Sequence, residues 1–218
     1  FDRLMQYFYK PSNSPWASPL VIAPKATKPF IRFCGDYVKK NQHIERGHWP
    51  MPNVKHMLEK IIKFNVFADI DWVNAYHQLQ IDEESARVLS VITTWGQVQP
   101  RFIPEGISPA SEVMQSTVQM IFGIYEEWLI AIYDNILVLA TDYEDLFTKI
   151  KKVVERCKEF NVFLKFSKSW LGFPSCEFFG FKCEKNAYRL TEKRKAAIAA
   201  MPFPDNLKQL RSFLGMSV

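Results

Sequence analysis

No CxxC spacing links any of the four cysteines (Cys34, Cys157, Cys176 and Cys183), and none of the four histidines (His43, His48, His56 and His77) sits in an HExxH or zinc-finger spacing. These absences argue against a disulfide framework and a zinc site, and leave the thiols as reduced structural residues of a cytosolic-type protein. No apolar run reaches the roughly 20 residues that a membrane span needs. No signal peptide opens the chain, and there is no repeat or low-complexity tract. The chain starts at Phe1 and stops at Gly215-Met216-Ser217-Val218 inside an expected helix, so it is read as a fragment of a longer polypeptide. Its 218 residues, 48% of them hydrophobic, suffice for one substantial globular unit with subdomains.

The net charge of +5 is unevenly spread. From Lys149 onward there are 15 Lys/Arg against 6 Asp/Glu, a balance of +9; the preceding residues hold 13 against 17. A basic C-terminal third fits a phosphate-backbone partner. A lysine-rich solvated helical face is the alternative.

Residues 18–37 alternate as a strand hairpin with a basic turn at Lys25 and Lys28. Pro50 to Lys63 has helical spacing, with Met51-Pro52 at its start. Residues 66–71 alternate, with Phe67, Asp69 and Asp71 on one face and Val66, Ala68 and Ile70 on the other. Residues 108–123 read as a helix opened by Ser108-Pro109. Residues 128–140 form two apolar arms around Asp134-Asn135, a tight hairpin. An amphipathic helix follows over 143–160, then short strands around 163–166 and 177–182, then helices opened by Thr191 and by Pro204-Asp205-Asn206. Helices and strands mix without a βαβ rhythm, which predicts an α+β fold with a largely antiparallel sheet.

Two apolar stretches each break on a carboxylate, at Asp71 and at Asp134. A carboxylate amid apolar residues costs several kcal/mol to bury unless a charge or metal compensates it. Phosphoryl transfer needs oxygen ligands held on adjacent rigid elements, because Mg²⁺ takes a few carboxylates plus substrate phosphates. A hairpin tip and a neighbouring strand meet that need. An Asp-Asn turn chosen only for its backbone dihedrals is the alternative for Asp134.

Six motifs in order carry a resemblance. They are Ser14-Pro15-Trp16-Ala17-Ser18-Pro19 with Pro24-Lys25; Arg32-Phe33-Cys34-Gly35-Asp36-Tyr37 followed by Asn41; Trp49-Pro50-Met51-Pro52; Phe67-Ala68-Asp69-Ile70-Asp71 with Tyr76-His77-Gln78; Pro104-Glu105-Gly106-Ile107-Ser108-Pro109-Ala110 with Gln115; and Arg211-Ser212-Phe213-Leu214-Gly215. Over nearly its whole length the chain resembles the reverse transcriptase of gypsy-type LTR retrotransposons, and more distantly retroviral reverse transcriptases. The resemblance implies a right-hand polymerase: fingers over 1–46 and 79–108, palm over 47–78 and 109–186, and the start of a thumb over 187–218. It implies an RNA-directed DNA polymerase acting on RNA/DNA template-primer with deoxynucleoside triphosphates and two Mg²⁺ ions, Mn²⁺ being a substitute. Asp71 and Asp134 would bind both metals, and the Trp72 carbonyl would help hold one. Tyr76 would be the steric gate against the ribose 2′-hydroxyl. Lys25 and Arg32 would clamp the triphosphate, with Glu105 and Gln115 also at the nucleotide pocket. Phe178, Phe179, Gly180 and Phe181 would form the primer grip, and Lys168 would contact the nucleic-acid backbone. For Tyr76 an ordinary core role, and for Lys168 a plain surface role, stay open. The resemblance also implies a cytoplasmic location, in virus-like particles, with the nucleus left open, and it does not fix the oligomeric state.

The chain departs from the family pattern at two places. The family's Tyr-x-Asp-Asp reads Ile132-Tyr133-Asp134-Asn135, so the second catalytic position, Asn135, is an amide. Glu105 puts a carboxylate beside the nucleotide pocket. Asp69, two residues before Asp71, is a candidate source of the charge lost at Asn135. A weakened or inactive reverse-transcriptase fold that binds nucleic acid or protein is the alternative function.

Overall fold

A computed structural model describes residues 7–24, 31–45, 47, 49–50 and 53–217. In chain order the elements are β1 (Tyr9–Pro11), β2 (Ser18–Pro24), β3 (Ile31–Gly35), α1 (Val38–Asn41), α2 (Val54–Ile61), β4 (Val66–Asp71), α3 (Glu83–Val88), β5 (Val91–Thr93), β6 (Gly96–Pro100) and α4 (Ala110–Phe122). Then come β7 (Leu129–Ile132), β8 (Asn135–Ala140), α5 (Tyr143–Glu159), β9 (Trp170–Phe173), β10 (Cys176–Phe178), β11 (Phe181–Glu184), β12 (Ala187–Leu190), α6 (Glu192–Ala199) and α7 (Leu207–Ser217). Three sheets form, in the orders β1-β6-β5-β2-β3, β7-β8-β4-β9 and β10-β11-β12. All their pairings are antiparallel except β2 with β5.

The four-stranded sheet positions the carboxylates. Strand β4 alternates as its sequence predicts. Val66, Ala68 and Ile70 join Ile136, Val138 and Ala140 of β8 against Met114, Val118, Ile121 and Phe122 of α4 and Leu146, Val153 and Cys157 of α5. On the opposite face Phe67, Ile130, Ile132, Leu137 and Leu139 pack on Met57, Leu58 and Ile61 of α2. A sheet buried on both faces explains why β8 reads as an unbroken apolar run. Ile136 is wholly buried, so truncating it to Ala costs about 2–5 kcal/mol.

The helices start where short polar side chains can cap them. Asn53 accepts from the Lys55 N–H, Asp142 from Asp145 and Thr191 from Arg194. The expected Ser108 cap is absent. The residue before α4 is Pro109, with no side-chain cap, and the Ser108 N–H donates to Asn41 Oδ1 instead (2.9 Å). The Lys25–Lys28 turn and the Met51-Pro52 helix start lie outside the described residues.

Two strand expectations change. Residues 163–166 make only an isolated bridge, Trp72 with Leu164, before a 3₁₀ turn at Phe166–Lys168; the edge strand is β9, a few residues later. Residues 177–182 are not one strand but a hairpin, β10–β11, turning at Phe179-Gly180, where both residues have positive φ (47° and 77°). All four cysteines are free thiols. Among the described residues no helix is long and apolar enough to cross a membrane.

Candidate active site

Asp71 is the last residue of β4, and Asp134 lies in the two-residue turn between β7 and β8. The expected Asp134-Asn135 tip is shifted by one residue. The turn is Tyr133–Asp134, and Asn135 is already paired in β8, opposite Ile132 on one side and Asp71 on the other. Tyr133 takes the left-handed conformation (φ 52°), which is strained for an aromatic residue. Its ring packs against both faces of the sheet core. The Trp72 N–H donates to the Asp134 carbonyl (3.2 Å), which ties the end of β4 to the turn.

Asp71 and Asp134 both line an open cleft of about 600 Å³. Trp72, Asn74, Tyr76, Asn41, Glu105, Lys165 and Lys168 line it too. Each arrives there for a local reason. Asn74 (φ 44°) turns the chain into a 3₁₀ segment, Ala75–Gln78, that carries Tyr76. Gln78 fastens this segment to the strand-like stretch before Lys165: its Nε2 donates to the Val73 and Phe163 carbonyls (2.6 and 3.0 Å), and its Oε1 accepts from the Phe163 N–H (2.8 Å). The Lys165 N–H donates to the Asp71 carbonyl (2.7 Å). Asn41 holds the far wall, where Nδ2 donates to the Gly106 carbonyl (2.9 Å) and Oδ1 accepts from Ser108. Gly106 sits at φ 96°, a conformation that favours glycine.

A second cavity of about 340 Å³ opens beside the first. Asp69, Tyr133, Asn135, Glu177, Phe178 and Phe179 line it, with Ile130, Ile132 and Leu137. Burial pushes the Asp69 carboxyl up from its ordinary value, and the nearby Asp71 and Asp134 add to that shift. The Phe179-Gly180 turn is fastened from α6. Arg194 Nη1 donates to the Phe179 carbonyl (2.7 Å), its guanidinium lies 4.7 Å from the Phe181 ring centroid, and the Thr191 N–H donates to the Gly180 carbonyl (2.9 Å).

The structure thus brings Asp71, Trp72, Asp134, Tyr76, Glu105 and Lys168 into one cleft, and Asn135, Phe178 and Phe179 into the neighbouring one. Gln115 lies in neither. It is a buried side chain of α4, bonded to the β7 end of the hairpin. Arg32 lies on β3 opposite Ala23, its side chain outside the described residues, as Lys25 is entirely. Several cleft residues carried no predicted role, Asn41, Asn74 and Lys165 among them. Lys165 gave no signal in the sequence, whereas Asn41 stood within a quoted motif.

The cleft suits a hard cation. Two carboxylates from different segments and the backbone at Trp72 give an oxygen-rich donor set. The Trp72 indole is buried in the core, edge-on to Phe122 at 6.1 Å, with its N–H unpartnered among the described residues, which leaves its backbone to serve the cleft. Among the described residues no three His, Cys, Asp or Glu side chains converge into a cage. Mg²⁺ sites of the phosphoryl-transfer type need none, because substrate phosphates and water complete the shell.

The sequence pattern of the family described as reverse transcriptase (RNA-dependent DNA polymerase) matches residues 24–183. The chain belongs to the reverse transcriptase family. Its relatives include the retrovirus-related Pol polyproteins of the Drosophila melanogaster transposons opus and gypsy. The first is 26% identical over 222 residues, covering 99% of this chain and 22% of that protein. The second is 25% identical over 214 residues, covering 95% and 21%. The chain therefore spans about a fifth of the length of these curated relatives. In fold it matches a foamy viral protease-reverse transcriptase in complex with double-stranded DNA (TM-score 0.84, 20% identity, 99% of this chain and 38% of that one). A second match is the foamy viral enzyme in complex with an RNA/DNA hybrid (TM-score 0.79, 20% identity, 99% and 29%). The architecture is the right-hand polymerase fold.

Proposed function

We propose that this reverse-transcriptase chain is the RNA-directed DNA polymerase of a retroelement polyprotein, extending a primer 3′-hydroxyl with deoxynucleoside triphosphates. The observation that carries the reading is the delivery of Asp71 and Asp134, from separate segments, to one cleft that also holds Tyr76 and two lysines. Two divalent cations, Mg²⁺ or Mn²⁺, would be held by Asp71, Asp134 and the Trp72 carbonyl, and would stabilise charge on the attacking and leaving oxygens.

The chain's own residues do the rest. Lys165 and Lys168 offer ammonium groups to the triphosphate or template-primer backbone. Arg32 and Lys25 add charge from the fingers. Tyr76 presents its ring beneath the sugar, where it excludes a 2′-hydroxyl. Asn41 and Gly106 fix the loop that carries Glu105 over the nucleotide. Phe178 to Phe181 hold the primer end against the hairpin. In this reading residues 1–46 and 79–108 act as fingers, 47–78 and 109–186 as palm, and 187–218 begin a thumb.

A second reading follows from Asn135 and Glu105: a fold that binds template-primer without extending it. Primer extension on poly(rA)/oligo(dT) with Mg²⁺ and with Mn²⁺ separates the two. Extension by the wild-type chain and none by Asp134→Ala supports the polymerase. Salt-sensitive duplex binding with no incorporation under either metal overturns it in favour of the binding module.

A further inference from the structure

Helix α4 buries one stripe, Ala110, Met114, Gln115, Val118, Ile121 and Phe122. Gln115 is its only polar member and is 1% exposed. A buried amide is costly unless both of its functions are bonded. Here both are: Nε2 donates to the Ala131 carbonyl (3.2 Å), and Oε1 accepts from the Tyr133 N–H (3.1 Å).

These two partners have a common geometry. Strand β7 is an edge of its sheet. Ile132 and Asn135 flank the two-residue turn, so Ala131, opposite Ile136, falls in the next, non-hydrogen-bonded pair. The peptide groups of Ala131 and Tyr133 therefore point to the open edge of β7. A neighbouring parallel strand would bind one carbonyl and the N–H two residues on, and the Gln115 side chain reproduces that pattern with a single amide. Its acceptor bond falls on Tyr133, the left-handed residue next to Asp134.

We infer that Gln115 is a positioning residue that holds the hairpin turn, and through it the Asp134 carboxylate, rather than a nucleotide contact. The inference rests on the polymerase reading for its catalytic consequence, but not for its structural one. Removing the bracket frees Tyr133 to relax from its strained conformation, and Asp134 moves with it.

Gln115→Met keeps the length and loses both bonds. In the full chain its Tyr133 amide is expected to exchange with solvent at least about tenfold faster by NMR, equivalent to about 1.4 kcal/mol. Mn²⁺ affinity, read by the paramagnetic signal of the free ion, is expected to fall several-fold. Both readouts stand even if the wild-type chain does not polymerise, a result that would sink the polymerase reading alone. Where the wild type extends primers, kcat of Gln115→Met is expected to fall about tenfold or more, with the nucleotide KM and template-primer Kd held within about twofold, the pattern of a lost transition-state interaction. A raised nucleotide KM at unchanged kcat, or unchanged exchange at Tyr133, overturns the inference. Should Gln115→Met fail to fold, Gln115→Glu decides the question. Its carboxylate still accepts from Tyr133 but, once ionised, faces the Ala131 carbonyl, so Mn²⁺ affinity should acquire a new decline with rising pH that is absent from wild type. A wild-type pH profile for that variant overturns the inference.

Discussion

Asp71 and Asn135 stand directly opposite each other across the β4–β8 ladder, yet they open onto different cavities. Asp71 lines the cleft shared with Asp134, and Asn135 lines the smaller one shared with Asp69 and the Phe178-Phe179 turn. The amide at 135 therefore removes no carboxylate from the Asp71–Asp134 cleft. Asp134→Ala is expected to lower primer extension by about a hundredfold or more, on the scale of losing one stabilising group at a reacting centre. Asn135→Asp should stay within about tenfold of wild type. Steady-state extension rates at saturating Mg²⁺ check both.

Asp69 and Asn135 share a cavity that also holds Glu177. A third acid, at position 135, adds like charge to a site where burial already opposes ionisation of Asp69. Asn135→Asp should lower Tm, and Asp69→Asn should recover much of the loss. Thermal melts of the four-member cycle should give a coupling of about 0.5–3 kcal/mol. A coupling of zero would refute the shared-cavity account of why an amide is tolerated here.

The Phe179-Gly180 turn depends on the absence of a side chain. Gly180 has φ 77°, and a Cβ there would lie 2.8 Å from Arg194 Cδ. Gly180→Ala should cost about 1–2 kcal/mol from the left-handed backbone alone. Arg194→Ala loses the bond to the Phe179 carbonyl and the contact over Phe181. If this turn grips the primer, both variants weaken template-primer binding, seen as a faster off-rate, while free-nucleotide affinity holds.

Glu105 lines the same cleft as Asp71, Asp134, Lys165 and Lys168. Glu105 adds a third carboxylate to that lining, and like charge there opposes a triphosphate. Glu105→Gln should lower the nucleotide KM several-fold, leave kcat within about twofold, and reduce the salt sensitivity of KM. An unchanged KM would remove Glu105 from the nucleotide pocket.

Asp145 joins α5 to the end of β8. It accepts from the Thr141 N–H (2.9 Å) and from Lys149 Nζ (2.7 Å), and Lys149 also donates to the Leu139 carbonyl (3.0 Å). Burial opposes ionisation of Asp145, but the Lys149 and Thr141 bonds outweigh it and hold the carboxyl below its ordinary value. A depressed carboxyl contributes stability that is complete above the unfolded-chain value and lost as pH falls through the folded-state value. Asp145→Asn should therefore melt several degrees below wild type at neutral pH. The gap should close in acid, below the ordinary carboxylate range of roughly 3.9.

How much of this was legible in the sequence differs by element. Strand β4 and the apolar arms of β7 and β8 were readable, because alternation and burial on two faces leave distinct residue patterns. The turn between the arms was misplaced by one residue. Local preference favours Asn and Asp at positive φ, whereas Tyr133 is held there by its packing on two core faces and by Gln115, a residue 18 positions away. The Phe179-Gly180 turn was hidden for the same reason, since a phenylalanine at φ 47° announces no turn. Strands β5 and β6 were not assigned at all, each being a few residues long and defined by partners far off in the chain. In the site, the ordered motifs contained Asp71 and Tyr76, a break in an apolar run marked Asp134, and Lys168 came from the family resemblance alone; a backbone-directed role such as that of Gln78 or Asn41 leaves no spacing rule to read.

The five-stranded sheet takes β1, β2 and β3 from before β4, and β5 and β6 from after it. Ser14, close to β2, gives its hydroxyl hydrogen to the Arg87 carbonyl 73 residues later (2.7 Å). During synthesis at about 5–20 residues per second, the early strands wait roughly 4–15 s for their partners to leave the ribosome. Through that interval they present unpaired edges, the state in which strands join the wrong chain. A cell making this protein therefore has to shield a half-built sheet, and slowing translation between residues 35 and 91 should lower the yield of soluble chain.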